Sequence, residues 1–156
     1  VSYLKVFVFS MVPVFELRGG FPLGILLGLT RWEALLFSVL GNVAIILPWL
    51  LVLARLEKMV IRNRAVLGLY QRLIRGAERK KDGFRKYGKY VLFLFVAVPL
   101  PTTGAWTACV AARFFRIPLR DSFLIIAAGV VTSGFIMLLA KILALSGFER
   151  LWGGAL

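Results

Sequence analysis

Pro13-Val14-Phe15-Glu16-Leu17-Arg18-Gly19-Gly20-Phe21-Pro22-Leu23-Gly24 interrupts an otherwise apolar run over residues 1–29. Each arm beside it is too short to cross about 30 Å of hydrocarbon, yet together the arms exceed one span. Two prolines, a glycine pair and a charge pair predict an irregular tip between two short helices. Such backbone survives at membrane depth only when buried in protein or lining a wet cavity. The stretch 90–112 has the same form, with Pro99-Leu100-Pro101-Thr102-Thr103-Gly104 at its midpoint. Both stretches read as re-entrant hairpins: helix in, irregular tip, helix out.

An unbroken apolar run follows each hairpin. Residues 34–54 carry no charge and reach about 30 Å as a helix. Residues 122–145 carry only Lys141, near the end, where a lysine snorkels to the headgroups. Composition agrees, since 60% of the 156 residues are hydrophobic, against about 45–50% in soluble domains. The sequence begins at Val1 rather than a methionine, so an initiator or short leader is expected ahead of it.

Charge placement orients these segments. Residues 55–89 hold 12 lysines and arginines against Glu57, Glu78 and Asp82, which places that linker in the cytoplasm. A full crossing by 90–112 would put Arg113, Arg116 and Arg120 outside, against the same rule. A re-entrant path returns them to the cytoplasm and sends 122–145 outward. Within the linker, Val66, Tyr70, Leu73 and Ala77 share one helical face, while Arg64, Arg72, Arg75 and Arg79 fall largely elsewhere. That pattern suits either a helix lying on the anionic inner leaflet or a solvated basic loop. Sparse aromatic interleaving and membrane flanks argue against nucleic acid as a partner.

The inventory excludes much chemistry. With no histidine there is no Ser-His-Asp triad, imidazole shuttle or His-metal site. One cysteine, Cys109, excludes an intrachain disulfide, a CxxC pair and a thiolate zinc cage. The seven acids are scattered, so neither a metal nor a cofactor is expected. Tip threonines without a paired base make poor nucleophiles, and no catalytic residue or enzymatic activity is expected.

The two halves share an order of parts: hairpin, short charged joint, long span. Gly41 follows Arg31 of the first joint by ten positions, and Gly129 follows Arg120 of the second by nine. The first hairpin enters from outside and the second from inside. The expectation is an all-α integral membrane protein of two inverted repeats, each a re-entrant helical hairpin followed by a transmembrane helix, joined by a basic cytoplasmic helical linker. Its parts are repeat one (1–54), the linker (55–89), repeat two (90–146) and a tail (147–156), in one multi-pass domain of the plasma membrane. Interrupted segments at matching places in inverted halves point to a transport site near the midplane.

Glu16-Leu17-Arg18-Gly19-Gly20-Phe21-Pro22-Leu23-Gly24, with Lys86-Tyr87-Gly88 and Pro99 to Thr107, resembles the small multidrug export protein family over nearly the whole chain. Ala111 to Phe123 also resembles the DedA/VTT superfamily of lipid translocators and scramblases. Members of that superfamily typically carry arginines around the second tip, whereas Pro99 to Trp106 holds no charge. The first resemblance implies export and the second implies lipid translocation.

The candidate substrate-binding residues are Glu16, Arg18, Gly19, Gly20 and Pro22 at the first tip, with Pro99, Pro101, Thr102, Thr103, Gly104 and Trp106 at the second, and Arg113. A charge at the centre of a membrane helix costs about 2.5–3.5 kcal/mol on insertion scales, so Glu16 and Arg18 need a partner, water or a ligand. They read either as a structural ion pair or as a site where Glu16 takes a proton or cation and Arg18 an anionic headgroup. Thr102 and Thr103 either satisfy freed backbone groups or bond a substrate. A half-helix starting near Gly104 would aim its amides and dipole at an anion. Trp106 reads as packing or as ligand contact, and Arg113 as a headgroup anchor or a phosphate ligand.

The expected function is transport of an anionic amphiphile, such as a polyprenyl phosphate or phospholipid. The alternative is proton-coupled export of small cationic drugs, with Glu16 as the exchange carboxylate. A non-transporting membrane scaffold, working through the basic linker, is a second alternative. Expected partners are membrane lipids with anionic headgroups, coupling protons and a second copy in a homodimer.

Overall fold

The computed structural model describes residues 1–62, 81–99 and 104–152. Among them it forms six helices and no strand. The linker face at Val66 to Ala77, and the tip residues Pro101, Thr102 and Thr103, lie outside the described residues.

Helix α1 (Ser2–Met11) stops one residue short of Pro13, with Val12 extended at ψ 132, because the residue before a proline disfavours the α region. Helix α2 (Glu16–Leu26) runs back along α1, with Gly20 against Ser10 and Gly24 within reach of Val6. Gly28 ends the reversal at φ 81, where Leu29 N–H bonds Gly24 and Gly28 N–H bonds Ile25. A left-handed residue closing a helix in this way is usually glycine.

Thr30 then caps helix α3 (Arg31–Arg62). The Thr30 N–H donates to Glu33 Oε2 at 2.9 Å and the Glu33 N–H returns to Thr30 Oγ1 at 3.3 Å, a reciprocal capping box.

The second half repeats this order. Helix α4 (Lys81–Ala97) is followed by α5 (Ala105–Phe114), which ends at Arg116, φ 53, with the same pair of bonds that Gly28 makes. Helix α6 (Leu119–Trp152) completes the chain. Two stretches are long and apolar enough to cross a membrane, Arg31–Met59 and Leu119–Ala144.

Packing gives each helix a direction. Tyr3 stacks near Phe37 and the Phe7 carbonyl abuts Gly41, so α1 runs parallel to α3. Lys89 pairs with Asp121 and Val96 abuts Gly129, so α4 runs parallel to α6. The long helices are antiparallel: Leu35 meets Leu138 and Gly134 near one end, while Ile46 and Leu50 join Ile126 toward the other. The main core collects Ile46, Leu92, Val96, Ala108, Cys109 and Ile126, with Cys109 fully buried and its Sγ 4.0 Å from the Ile46 carbonyl.

Leu36, Leu40, Leu47 and Leu51 on α3, and Leu124, Val131, Phe135 and Leu139 on α6, face outward. Ser10, Glu16, Ser38, Asn42, Ser122 and Ser133 lie inside. Apolar outward faces, with polar residues kept to the interior among the apolar core, are the arrangement a bilayer selects.

The structure corrects one expectation. The irregular tip is confined to residues 12–15, and Glu16 to Pro22 are helical. Gly19 and Gly20 lie where α2 meets Phe9, Phe15 and Ser10 with no room for a Cβ, so their small size serves packing. Pro22 sits inside α2 on its exposed side.

Candidate functional site

The start of α2 meets the start of α5 at Glu16. As the first residue of α2 it adopts φ 47, a conformation costly for a residue with a Cβ, and its side chain is only 7% exposed. Its Oε1 accepts the Trp106 N–H at 3.2 Å, and the Ala105 N–H also bonds the carboxylate. These are the first amides of α5, which have no intrahelical acceptor. Gly104, at the N-cap, has no side chain to offer them. The cap arrives instead from a carboxylate 90 residues away in sequence. Gly104 is extended at φ −160, so the constraint there is space: a Cβ would occupy the position of the Glu16 carboxylate.

Trp106 ties α5 to the first turn a second time. Its Nε1–H donates to the Met11 carbonyl, at the end of α1, over 3.1 Å. Its ring lies 4.4 Å from that of Trp49 on α3. Thr107 Oγ1 completes the cap locally by accepting the Gly104 N–H at 3.1 Å.

Beside this junction is a cavity of about 10 Å³, bordered by Glu16, Arg18, Asn42, Gly104 and Ser133, close to the space of a single water. Arg18 is half-buried and interacts electrostatically with Glu16. Asn42, 2% exposed, brings an Oδ1 with no hydrogen-bond partner to this wall, and the nearby Ser38 Oγ has none either. An unsatisfied buried amide oxygen beside a carboxylate suits a small donor: a water, a proton carrier or a cationic group.

The sequence-derived residues are therefore divided. Glu16, Arg18, Gly104 and Trp106 come together, and Gly19 and Gly20 support them through packing. Pro99 follows the end of α4, half-buried. Arg113 sits apart, at the linker end of α5, in an ion pair with Glu57 of α3. The half-helix expected to present its dipole to an anion does begin at Gly104, but the chain's own carboxylate fills that position. Met11, Trp49, Asn42 and Glu57 were not among the candidates. Asn42 carried one usable signal, a carboxamide inside an otherwise apolar span.

With that geometry in view, residues 16–136 match the family model described as "Putative small multi-drug export protein". The chain belongs to this family. The match begins at Glu16 itself and runs through α2, α3, the linker, α4 and α5 into α6, as far as Ile136. No curated protein and no solved structure matches the chain. Membership of an export-protein family, together with the two long apolar helices, makes this a membrane protein.

Proposed function

We propose that the chain is an inverted-repeat exporter that moves small cationic compounds in exchange for protons, with Glu16 as the shared carboxylate. The repeat is supported by a matched contact. Gly41 of α3 lies against the Phe7 carbonyl of α1, and Gly129 of α6 lies near the Phe93 carbonyl of α4. The long helices are antiparallel, so the two units point in opposite directions. Neither α1 nor α2, at 10 and 11 residues, can cross about 30 Å, which supports a first hairpin that re-enters.

The observation that carries the functional reading is the cap made by Glu16 on α5. The positive helix end that an anionic substrate would seek is already neutralised by the protein. A carboxylate is left to be competed for by cations. While ionised, Glu16 holds the two tips together and the cavity has room for no more than a water. A proton or a cationic substrate that takes over its charge weakens the cap and releases the tips. The site then opens to one side at a time, and the outward half-cycle delivers the substrate. The family description points the same way.

The test is ethidium efflux from liposomes under an imposed pH gradient. Wild-type protein should export the dye in proportion to the gradient, and Glu16→Gln should abolish that dependence. Equal gradient-driven flux through both proteins would defeat the scheme. A parallel assay with a labelled polyprenyl phosphate separates the anionic reading, for which Arg18 at the cavity wall is the supporting observation. Translocation of that lipid by Glu16→Gln and its loss in Arg18→Ala would favour it.

A further inference from the structure

A second cavity lies at the other end of the bundle from the linker, and we propose that it binds the phosphate of a membrane lipid. It is a wide, open groove of about 640 Å³ bordered by Ile25, Leu29, Thr30, Arg31, Trp32 and Lys141. Two of those six residues are cationic and none is acidic. Among the described residues neither Arg31 nor Lys141 is paired with a carboxylate. The nearest acid in sequence, Glu33, is engaged by Thr30 and by the Tyr3 hydroxyl at 3.0 Å and does not border the cavity.

Position decides the class of ligand. Arg31 opens the first candidate span, and Lys141 lies three residues before the end of the second, Leu119–Ala144. The antiparallel packing of α3 and α6 brings those ends together at one membrane surface, at headgroup depth. Trp32, 66% exposed beside them, is an amphipathic ring of the kind that settles at that depth. Lys141 Nζ lies 5.8 Å from the centre of the Phe21 ring, a cation–π contact that holds the ammonium near the cavity without neutralising it. Arg31 adds a planar fork suited to two phosphate oxygens. Ile25 and Leu29 provide an apolar wall for the first carbons of an acyl chain. The ligand is thus a glycerophospholipid bearing net negative charge. Arg31 comes from the first half of the chain and Lys141 from the second, so the bound lipid bridges the two halves.

Native mass spectrometry of the full chain in a nonionic detergent tests this without reference to export. Phosphatidylglycerol and diacylglycerol, which lacks the phosphate, are titrated separately. The site predicts one tightly held phosphatidylglycerol and no comparable diacylglycerol. A charge-assisted contact gives about a tenfold change in affinity, so Arg31→Gln with Lys141→Gln should weaken binding by well over tenfold. The comparison variant, Lys58→Gln with Arg120→Gln, removes the same charge from exposed positions toward the linker end and should leave the tight lipid in place. Equal losses in the two double variants would overturn the site, as would retention in both. Millimolar inorganic phosphate should not displace the lipid, and full displacement would overturn the lipid assignment in favour of free phosphate. Equal thermal melting of the two variants confirms that the loss reports on binding.

Discussion

The start of α2 and the start of α5 hold the same place in the order of helices, yet their chemistries are complementary. The first supplies a buried carboxylate on a strained residue, Glu16 at φ 47. The second supplies helix amides and a glycine with no side chain to cap them. Neither is fully satisfied by its own segment: Glu16 has Arg18 beside it but lacks hydrogen-bond donors there, and unpaired amides are expensive to bury. Joined, each resolves the other. The two helix starts thus differ in chemistry, while the helix packing beneath them, Gly41 on Phe7 and Gly129 near Phe93, has a common form.

Breaking the complementarity should produce the largest effect. Gly104→Ala pushes a methyl into the Glu16 carboxylate and separates it from the α5 amides. A buried charge that loses its partner costs about 3–5 kcal/mol, so we expect a loss of that size in thermal unfolding in detergent. A melting point within a degree of wild type would show that the tips do not depend on each other.

The shared form beneath the tips is tested by Gly41→Ala and Gly129→Ala. Overpacking of a tight contact costs about 1–3 kcal/mol, and both variants should fall in that range. Gly41→Ala should be the harsher, because the obstacle is the Phe7 backbone, whereas at Gly129 the first obstacle is the Val96 side chain. Loss at one position with none at the other would end the equivalence of the two units.

The smallest effect belongs to Trp106→Phe, which keeps a ring near Trp49 and removes only the donor to Met11. A net hydrogen bond is worth about 1 kcal/mol. The expected result is a loss of that order with dye efflux retained.

Much of this architecture was legible because a bilayer is a severe filter. The uncharged run 34–54 and the nearly uncharged run 122–145 mark the two long helices directly. Their ends were not legible: α3 continues to Arg62 and α6 to Trp152, since hydropathy records the hydrocarbon slab and a helix extends beyond it. Pro13 correctly signalled a break. Gly19, Gly20 and Pro22 misled, because small residues in a membrane helix also serve close approach, and a proline on an exposed face is tolerated.

At the site, the sequence stated the need but not its answer. Glu16 in an apolar run demanded a partner, and Arg18 was the near one. The amides of Ala105 and Trp106 are backbone groups, invisible to residue type and remote in the chain. Arg113 read as a headgroup anchor or phosphate ligand and Glu57 as one acid of the linker, and no periodicity links them.

Cys109, the only cysteine of the chain, is fully buried in the core between α5 and α3. Sealed there, it offers no surface to membrane-impermeant maleimides, so the native protein behaves toward them as a cysteine-free background. A single cysteine added at position 31 or 118 can then report its own side of the membrane, with no compensating change to the core.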